Sequence, residues 1–360
     1  MEQTLYRRPL PADAIAFSSA EGRRVFAEAL AAGGLDGYFP LAEQFHTQSE
    51  PAFCGLGSLV VALNALAIDP GRLWKGPWRW FGEELLDCCV SLAEVRERGL
   101  ALDELACLAR CNGAEVEVVR ADGGTLAAWR DALRAASQAE NVLIASYDRA
   151  AIGQTGSGHF SPVGGYHVAR DLVLVLDVAR FKYPPHWVSA ERLWQAMQSI
   201  DPSSGRPRGW MRLRPRAHGI ALGFTVTCDG DNWQGVARRL TSAVAELGSA
   251  ADVAGLARAV VPLLAYLEIR IPTAAAHRDA LAAARAALRA LPLYAQVESA
   301  VGAGDAEAAS MLLLASVDLL LPAQRTRVTE LTGGPFDDSP LTTDLTNLRA
   351  QLAALAGALA

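Results

Sequence analysis

Apolar residues recur along this chain first at helical spacing, then at strand spacing, then at helical spacing again, and these changes divide it. The first part is rich in Gly, Pro, Trp and Tyr turns. Its spacing predicts a short amphipathic helix over 23–32, stopped by Gly33 and Gly34. From Cys54 the apolar positions Leu56, Val60, Val61, Leu63 and Leu66 are too dense for a surface stripe, so they predict a buried central helix. It should end before the turn signal Asp69-Pro70-Gly71. Further helices are expected over 84–89, 102–111 and 126–136. The pattern then becomes β-rich over 142–146, 160–168 and 172–176, with Ala169, Arg170 and Asp171 as the turn of a hairpin. A helix over 189–199 and a strand over 209–213 follow. Helices first and antiparallel strands after make an α+β domain over 1–217, with a cleft between its two parts. From residue 218 Ala and Leu dominate, with helical spacing over 236–247, 253–267, 274–291 and 345–359 and a loop over 333–340. This predicts an all-α C-terminal domain over 218–360. It carries no chemical motif, and Cys228 and His277 stand isolated in it.

A length of 360 residues agrees with two domains, because a single core stops growing below that size. With 51% hydrophobic and 20% charged residues, the make-up is that of a globular chain. The net charge of −6 and a pI near 5.6 supply no basic field for phosphates, which argues against nucleic acid and against anionic membranes as partners. On the same ground Trp74, Trp78 and Trp80 read as packing rather than base-stacking residues. The N-terminal residues lack the apolar core of a signal peptide. The longest apolar run, 311–321, is too short for a bilayer and holds Asp318, so a cytoplasmic location is expected. Six cysteines are too few for a disulfide scaffold in so long a chain and should remain thiols in a reducing compartment. Two lysines against 31 arginines reflect coding composition rather than mechanism.

The candidate chemistry starts at Cys54. At a helix N-terminus, unpaired N–H groups and the helix dipole favour a thiolate, and a neighbouring imidazolium can lower a thiol pKa from ~8.5 to as little as ~3.5. Gln48 lies six residues upstream, where its amide could donate to an oxyanion beside the sulfur, and Gly55 lets a substrate approach the backbone. The competing reading is a buried structural thiol. A cysteine nucleophile needs a base and an orienter. His159 follows a glycine-rich approach at the start of one strand, and Asp177 ends another. Paired as a hairpin, these strands would bring both side chains to one end of the sheet, where the carboxylate could hold the imidazole tautomer. His186, beside two prolines, and His46, with no apparent carboxylate orienter, are less well placed.

Four stretches carry a family resemblance: TQSEPAFCG at 47–55, GPWRWF at 76–81, GHFSPVGGY at 158–166 and LDVARFKYPPHW at 176–187. They closely resemble the phytochelatin synthase family, over roughly residues 5–215. The resemblance implies a papain-like cysteine peptidase domain with Cys54, His159 and Asp177 as its triad and Gln48 as oxyanion donor. In that family the Cys–Gly bond of glutathione is cleaved, γ-glutamylcysteine is held as a thioester, and a second glutathione or water takes it. It further implies that Asp201 and Arg208, in SIDPSSGRPRG at 199–209, bind the γ-glutamyl end. That end is a zwitterion, matched by a carboxylate and a guanidinium. Without the resemblance the same residues read as a solvated turn. Arg180, Lys182 and Tyr183 resemble the family segment that places the accepting glutathione, and equally fit a basic surface edge.

Cys88, Cys89, Cys107 and Cys111 match positions that are cysteine in plant members. Cys107 and Cys111 share a helix face and suit a soft cation, with buried thiol packing as the alternative. The tail lacks the cysteine-rich pattern of the plant proteins. The expectation is a glutathione γ-glutamylcysteinyltransferase making phytochelatins in a heavy-metal response. It would use no organic cofactor and be activated by Cd2+ or Zn2+ carried as glutathione thiolate. Glutathione and its metal thiolates are the expected partners, and a homodimer is left open. The competitors are a hydrolase that removes glycine from glutathione or its S-conjugates, and a non-enzymatic thiol metal-binding protein.

Overall fold

The computed structural model describes all residues except 1–6, 71–73, 88–89, 138–139, 216–222, 227–232, 270–274, 333–340 and 358–360. Two compact units are present: one holds 1–69, 80–86 and 92–216, the other 70–79, 87–91 and 217–360.

The first unit begins with strand β1 (Ile15–Ala16) and helices α1 (Ala20–Ala31), α2 (Tyr38–Gln44), α3 (Cys54–Ala65), α4 (Leu92–Arg98) and α5 (Leu102–Cys111). Next come β2 (Ala114–Arg120), α6 (Leu126–Ala136), β3 (Val142–Asp148), β4 (Gly158–His167), β5 (Leu172–Val175) and β6 (His186–Ser189). Helix α7 (Ala190–Met197), the short strands β7 (Ile200–Asp201) and β8 (Arg206–Pro207), and β9 (Gly209–Pro215) close it. Side-chain oxygens of Ser19, Thr125 and Ser189 cap α1, α6 and α7, satisfying N–H groups that would otherwise lack partners.

Seven strands form an antiparallel sheet in the order β1-β6-β5-β4-β3-β9-β2. Strand β3 is buried from Val142 to Tyr147, so the sheet is covered on both faces. On one face Leu143, Ala145 and Tyr147 join Trp129 and Leu133 of α6 and Leu193 and Met197 of α7 in a single apolar cluster. On the other lies α3, where Gly55 approaches Phe160 of β4 so closely that an added Cβ would sit 3.4 Å from the ring. Strand β2, at the sheet edge, is not among the expected strands, although Glu115 and Glu117 alternate with Val116 and Val118 as in a half-buried strand. It pairs along its whole length with β9. Of the helix expected over 84–89, the described residues form only a 3₁₀ turn, at Glu83–Leu85. There the Glu83 carboxylate turns inward to accept from the Ser49 N–H at 3.0 Å and from its hydroxyl.

The second unit contains β10 (Phe224–Val226), α8 (Trp233–Ser249), α9 (Val253–Val260), β11 (Leu267–Ile269), α10 (Ala275–Arg289), α11 (Pro292–Val301), α12 (Ala306–Ala315), α13 (Pro322–Glu330) and α14 (Thr342–Gly357). It corrects the all-α expectation, because β10 and β11 pair as an antiparallel ribbon. The helix expected over 253–267 breaks at Pro262 into a 3₁₀ segment that leads into β11. Buried side chains of α14 hold β10 in place. Asp344 accepts from the N–H groups of Gly223 and Phe224 at 3.0 and 3.2 Å, and Gln351 from that of Val226 at 2.8 Å. Cys228, the loop at 333–340 and the side chain of His277 lie outside the described residues. Among those described, no helix is long and apolar enough to cross a membrane.

Candidate active site

Cys54 is the first residue of α3, and no side chain caps that helix. The N–H groups of its first turn therefore point towards whatever occupies the space beside the sulfur. Cys54 is half-buried and lines a cavity of about 460 Å³, which His159 also lines. His159 pairs with Tyr147 in the β3–β4 ladder, which fixes it at the end of the sheet, and its ring meets Tyr147 edge-on at 5.7 Å. Asp177 follows β5 and is fully buried. Its Oδ1 lies 2.9 Å from His159 Nε2 and accepts from the Ala179 N–H at 2.9 Å. With Nε2 on the carboxylate, Nδ1 is the nitrogen left for the thiol. Cys54, His159 and Asp177 are thus brought together.

A fourth group sits among them that the sequence reading missed. Arg149, buried just beyond β3, places Nη2 2.9 Å from Asp177 Oδ1 and Nη1 2.8 Å from Oδ2. Nη2 also lies 2.8 Å from His159 Nε2. A guanidinium only donates and a carboxylate only accepts, so that imidazole nitrogen satisfies one of them at a time. Protonated, it donates to Asp177; deprotonated, it accepts from Arg149. In sequence, Asp148-Arg149 before a glycine-rich loop looks like a solvated turn. The signal that could have found it is the register of the β3–β4 hairpin, which carries Arg149 to His159.

The charges within this group reinforce one another. Burial pushes the Cys54 thiol up, but the charge and hydrogen bond of His159, the Phe160 N–H and Arg149 outweigh it and bring the thiol below its ordinary value. For His159, burial and Arg149 press the pKa down, while Asp177 and Cys54 more than compensate and raise it. Burial opposes ionisation of Asp177 too, and His159 and Arg149 overcome it, holding this carboxyl well below the usual range. All three shifts favour a thiolate–imidazolium pair, in which His159 Nε2–H donates to Asp177.

Gln48 is buried three residues before Pro51, and its amide hydrogens are both engaged by backbone carbonyls. Nε2 donates to the carbonyls of Glu50 at 2.7 Å and Pro51 at 2.8 Å, which uses both its hydrogens, while Oε1 is buried without a partner. Exchanging the two amide ends would set oxygen against two carbonyl oxygens, so this orientation is the favoured one.

The group Arg180, Lys182 and Tyr183 separates. A tight turn, with the Lys182 and Tyr183 N–H groups both donating to the Ala179 carbonyl, sends successive side chains in different directions. Lys182 and the exposed Phe181 line the cavity. Arg180 is exposed and lies over the Phe45 ring at 4.8 Å. Tyr183 is buried, its hydroxyl accepting from the Thr155 N–H at 2.8 Å and its ring lying under Arg149 at 5.1 Å. Of the three, Lys182 alone lines the cavity.

Asp201 ends β7 and Arg208 directly follows β8, and the two line the same cavity, 3.5 Å apart and both buried. Arg208 Nε is buried with no partner. A Cβ at Gly158 would sit 2.4 Å from Arg208 Nη1, so any larger residue there has to displace the guanidinium.

The proposed metal cysteines do not assemble among the described residues. Cys88 and Cys89 lie outside them. On α5, Cys107 and Cys111 have their sulfurs 3.8 Å apart, and both are buried. Cys107 is disulfide-bonded, against the expectation of thiols throughout, while Cys111 retains its thiol. No group of three or more His, Cys, Asp or Glu side chains among the described residues is arranged to hold a metal ion.

A family model described as phytochelatin synthase matches residues 5–210. Glutathione gamma-glutamylcysteinyltransferase 1 of Triticum aestivum is 53% identical over 237 residues, 65% of this chain and 47% of its own. The protein of that name from Arabidopsis thaliana is 50% identical over 252 residues, 69% of this chain and 52% of its own. Glutathione gamma-glutamylcysteinyltransferase of Schizosaccharomyces pombe is 43% identical over 256 residues, covering 71% and 61%. The chain spans about half the length of the plant relatives it matches.

Proposed function

The chain belongs to the phytochelatin synthase family, and on that premise we propose that it is a glutathione γ-glutamylcysteinyltransferase working through a thioester on Cys54. One observation carries this reading: the Cys54–His159 pair and the Asp201–Arg208 pair open onto one cavity, whose size suits a small peptide. A helix bearing the thiol, packed against an antiparallel sheet bearing the imidazole, supports a papain-like interpretation of the fold.

The zwitterionic γ-glutamyl end is held with its ammonium on Asp201 and its carboxylate on Arg208, whose unpartnered Nε supplies a donor. The Cys54 thiolate then attacks the carbonyl carbon of the Cys–Gly bond. First-turn N–H groups of α3 receive the developing oxyanion, and Gln48 joins them by giving up one of its two carbonyl partners. As the C–N bond breaks, His159 Nδ1–H gives its proton to the departing glycine amine, leaving γ-glutamylcysteine as a thioester. An amine or water next attacks the thioester, losing its proton to His159, and the thiolate is released. Cd2+ or Zn2+ enters as part of the substrate, on glutathione thiolate, and no step is assigned to metal on the protein's cysteines.

Hydrolysis is the second reading, favoured by the placing of Arg180 and Tyr183 away from the cavity lining. Only Lys182 of the three expected acceptor anchors lines the cavity, so water meets less competition. The thiol metal-binding reading loses support from the disulfide at Cys107. The test is incubation of the purified chain with glutathione, with and without cadmium, followed by product masses. Elongated γ-glutamylcysteine chains are expected from the wild type and no glycine release from Cys54→Ser. Glycine release by Cys54→Ser at the wild-type rate would overturn the thioester.

A further inference from the structure

Beyond the triad, three buried polar side chains run in series from the Asp177 carboxylate. Arg149 Nη1 donates to Gln154 Oε1, and Gln154 Nε2 lies 3.0 Å from His186 Nε2. His186 Nδ1 lies 2.9 Å from the Pro184 carbonyl. We propose that His186 is a positioning residue of the active site, acting through Gln154 to hold Arg149 on Asp177.

Hydrogen-bond polarity fixes every member of the series. A carbonyl only accepts, so His186 Nδ1 carries the hydrogen, and Nε2 of the neutral ring is a bare acceptor. Burial keeps that ring neutral by lowering its pKa. The acceptor then dictates the Gln154 amide: its NH2 faces His186 and its oxygen faces Arg149. The reverse orientation would oppose NH2 to guanidinium and oxygen to a nitrogen lone pair. His186, Gln154 and Arg149 are all at least 95% buried, so no solvent replaces a lost partner. His186 is itself held by the ladder, between Ala16 of β1 and Val175 of β5.

The consequence reaches the thiol through the shared His159 nitrogen. While Gln154 anchors Arg149, the fork stays on Asp177 and His159 Nε2 can give its proton to the same carboxylate. Freed from Gln154, Arg149 turns its Nη2, only 2.8 Å away, onto His159 Nε2. That contact favours the neutral tautomer protonated on Nδ1, which has no lone pair to take the Cys54 proton. Thiolate formation falls although no residue touching substrate has changed.

This inference rests on the catalytic reading of Cys54, and its test does not require glutathione turnover. Iodoacetamide alkylation of Cys54 at pH 7, followed on its own peptide by mass spectrometry, is compared with glycine release. Gln154→Leu and His186→Leu are each expected to slow both roughly tenfold, the scale of one buried hydrogen bond to a charged group. The double variant should be no slower than Gln154→Leu alone. His186→Gln, which restores an acceptor at that end, should recover most of the rate. Losses that multiply in the double variant, or a His186→Gln rate no better than His186→Leu, would overturn the proposal. If His186→Leu does not fold, His186→Gln in the Gln154→Leu background decides: no further slowing supports it, and added slowing overturns it. Fast alkylation of wild-type Cys54 without any glycine release would sink the proposed function and leave this inference standing.

Discussion

Arg149 meets Asp177 with both arms of its guanidinium, Nη2 at 2.9 Å from Oδ1 and Nη1 at 2.8 Å from Oδ2, with both side chains buried. Buried ion pairs seldom add net stability, because desolvating two charges offsets their attraction. The place of this one, against His159, indicates that its use lies in the triad. Removing one partner strands the other charge, at a cost of about 3–5 kcal/mol. Arg149→Met should therefore lower the melting temperature of the first unit by roughly 10 °C. Calorimetry checks this, and an unchanged transition would show that Asp177 finds other compensation.

The lowered Cys54 and raised His159 values give a pH prediction. A thiol whose folded pKa is depressed is already thiolate below the ordinary midpoint of about 8.5. Cys54 alkylation should consequently persist to lower pH than that of an ordinary thiol, falling as the pH drops through the lowered value. His159→Ala removes the principal lowering influence and leaves the burial that raises it. Its alkylation midpoint should move up to the ordinary value or beyond, as read by rate against pH. A midpoint unmoved by this change would mean that His159 does not act on the sulfur.

Asp177→Asn keeps the shape of the site and can present its NH2 to His159 Nε2, which must then accept. Nδ1 would carry the proton and face the thiol. In the analogous serine triad this inversion costs on the order of 10⁴ in turnover. Pre-steady-state glycine release from glutathione should show a loss of that scale, and a loss below tenfold would remove Asp177 from the orienting role.

Much of this arrangement was legible because it depends on local pattern. The dense apolar run fixed α3 and its start at Cys54, and two β-rich runs with a turn placed His159 and Asp177 at one sheet end. What escaped depends on direction and partner. Arg149 looks like a turn residue until the β3–β4 register carries it to the triad. Nothing in the spacing of Gln48 says that its amide faces two backbone carbonyls. Arg180, Lys182 and Tyr183 are adjacent in sequence, but a turn anchored on one carbonyl separates them. The disulfide at Cys107 is equally invisible to spacing. In the second unit, β10 and β11 lie some forty residues apart, and three-residue strands carry no period to read.

Gly158 offers a test confined to substrate binding. A methyl group there would meet Arg208 Nη1, Nη2 and Cζ at 2.4, 2.6 and 2.7 Å, so the guanidinium has to move. Gly158→Ala should raise KM for glutathione about tenfold, the value of one displaced charge-assisted contact. Cys54 alkylation should be unchanged, because the thiolate does not depend on Arg208. Slower alkylation would show that strand β4 itself had shifted.

The balance between transfer and hydrolysis is the remaining prediction, and the geometry makes it sharper than the sequence could. An accepting glutathione must be held with its amine near the thioester carbonyl, and such orientation is worth several kcal/mol over free diffusion. Water needs no anchor. The acceptor brings two carboxylates, and Lys182 is a cation that lines the cavity beside Cys54 and His159. Arg180 lies over Phe45 instead and is not among the lining residues. Lys182→Ala should therefore lower chain elongation much more than glycine release, shifting products towards free γ-glutamylcysteine, whereas Arg180→Ala should leave the ratio close to that of the wild type. Mass spectrometry of the two products across glutathione concentration, with and without cadmium, reads the ratio directly. A larger shift from Arg180→Ala than from Lys182→Ala would place the acceptor outside this cavity.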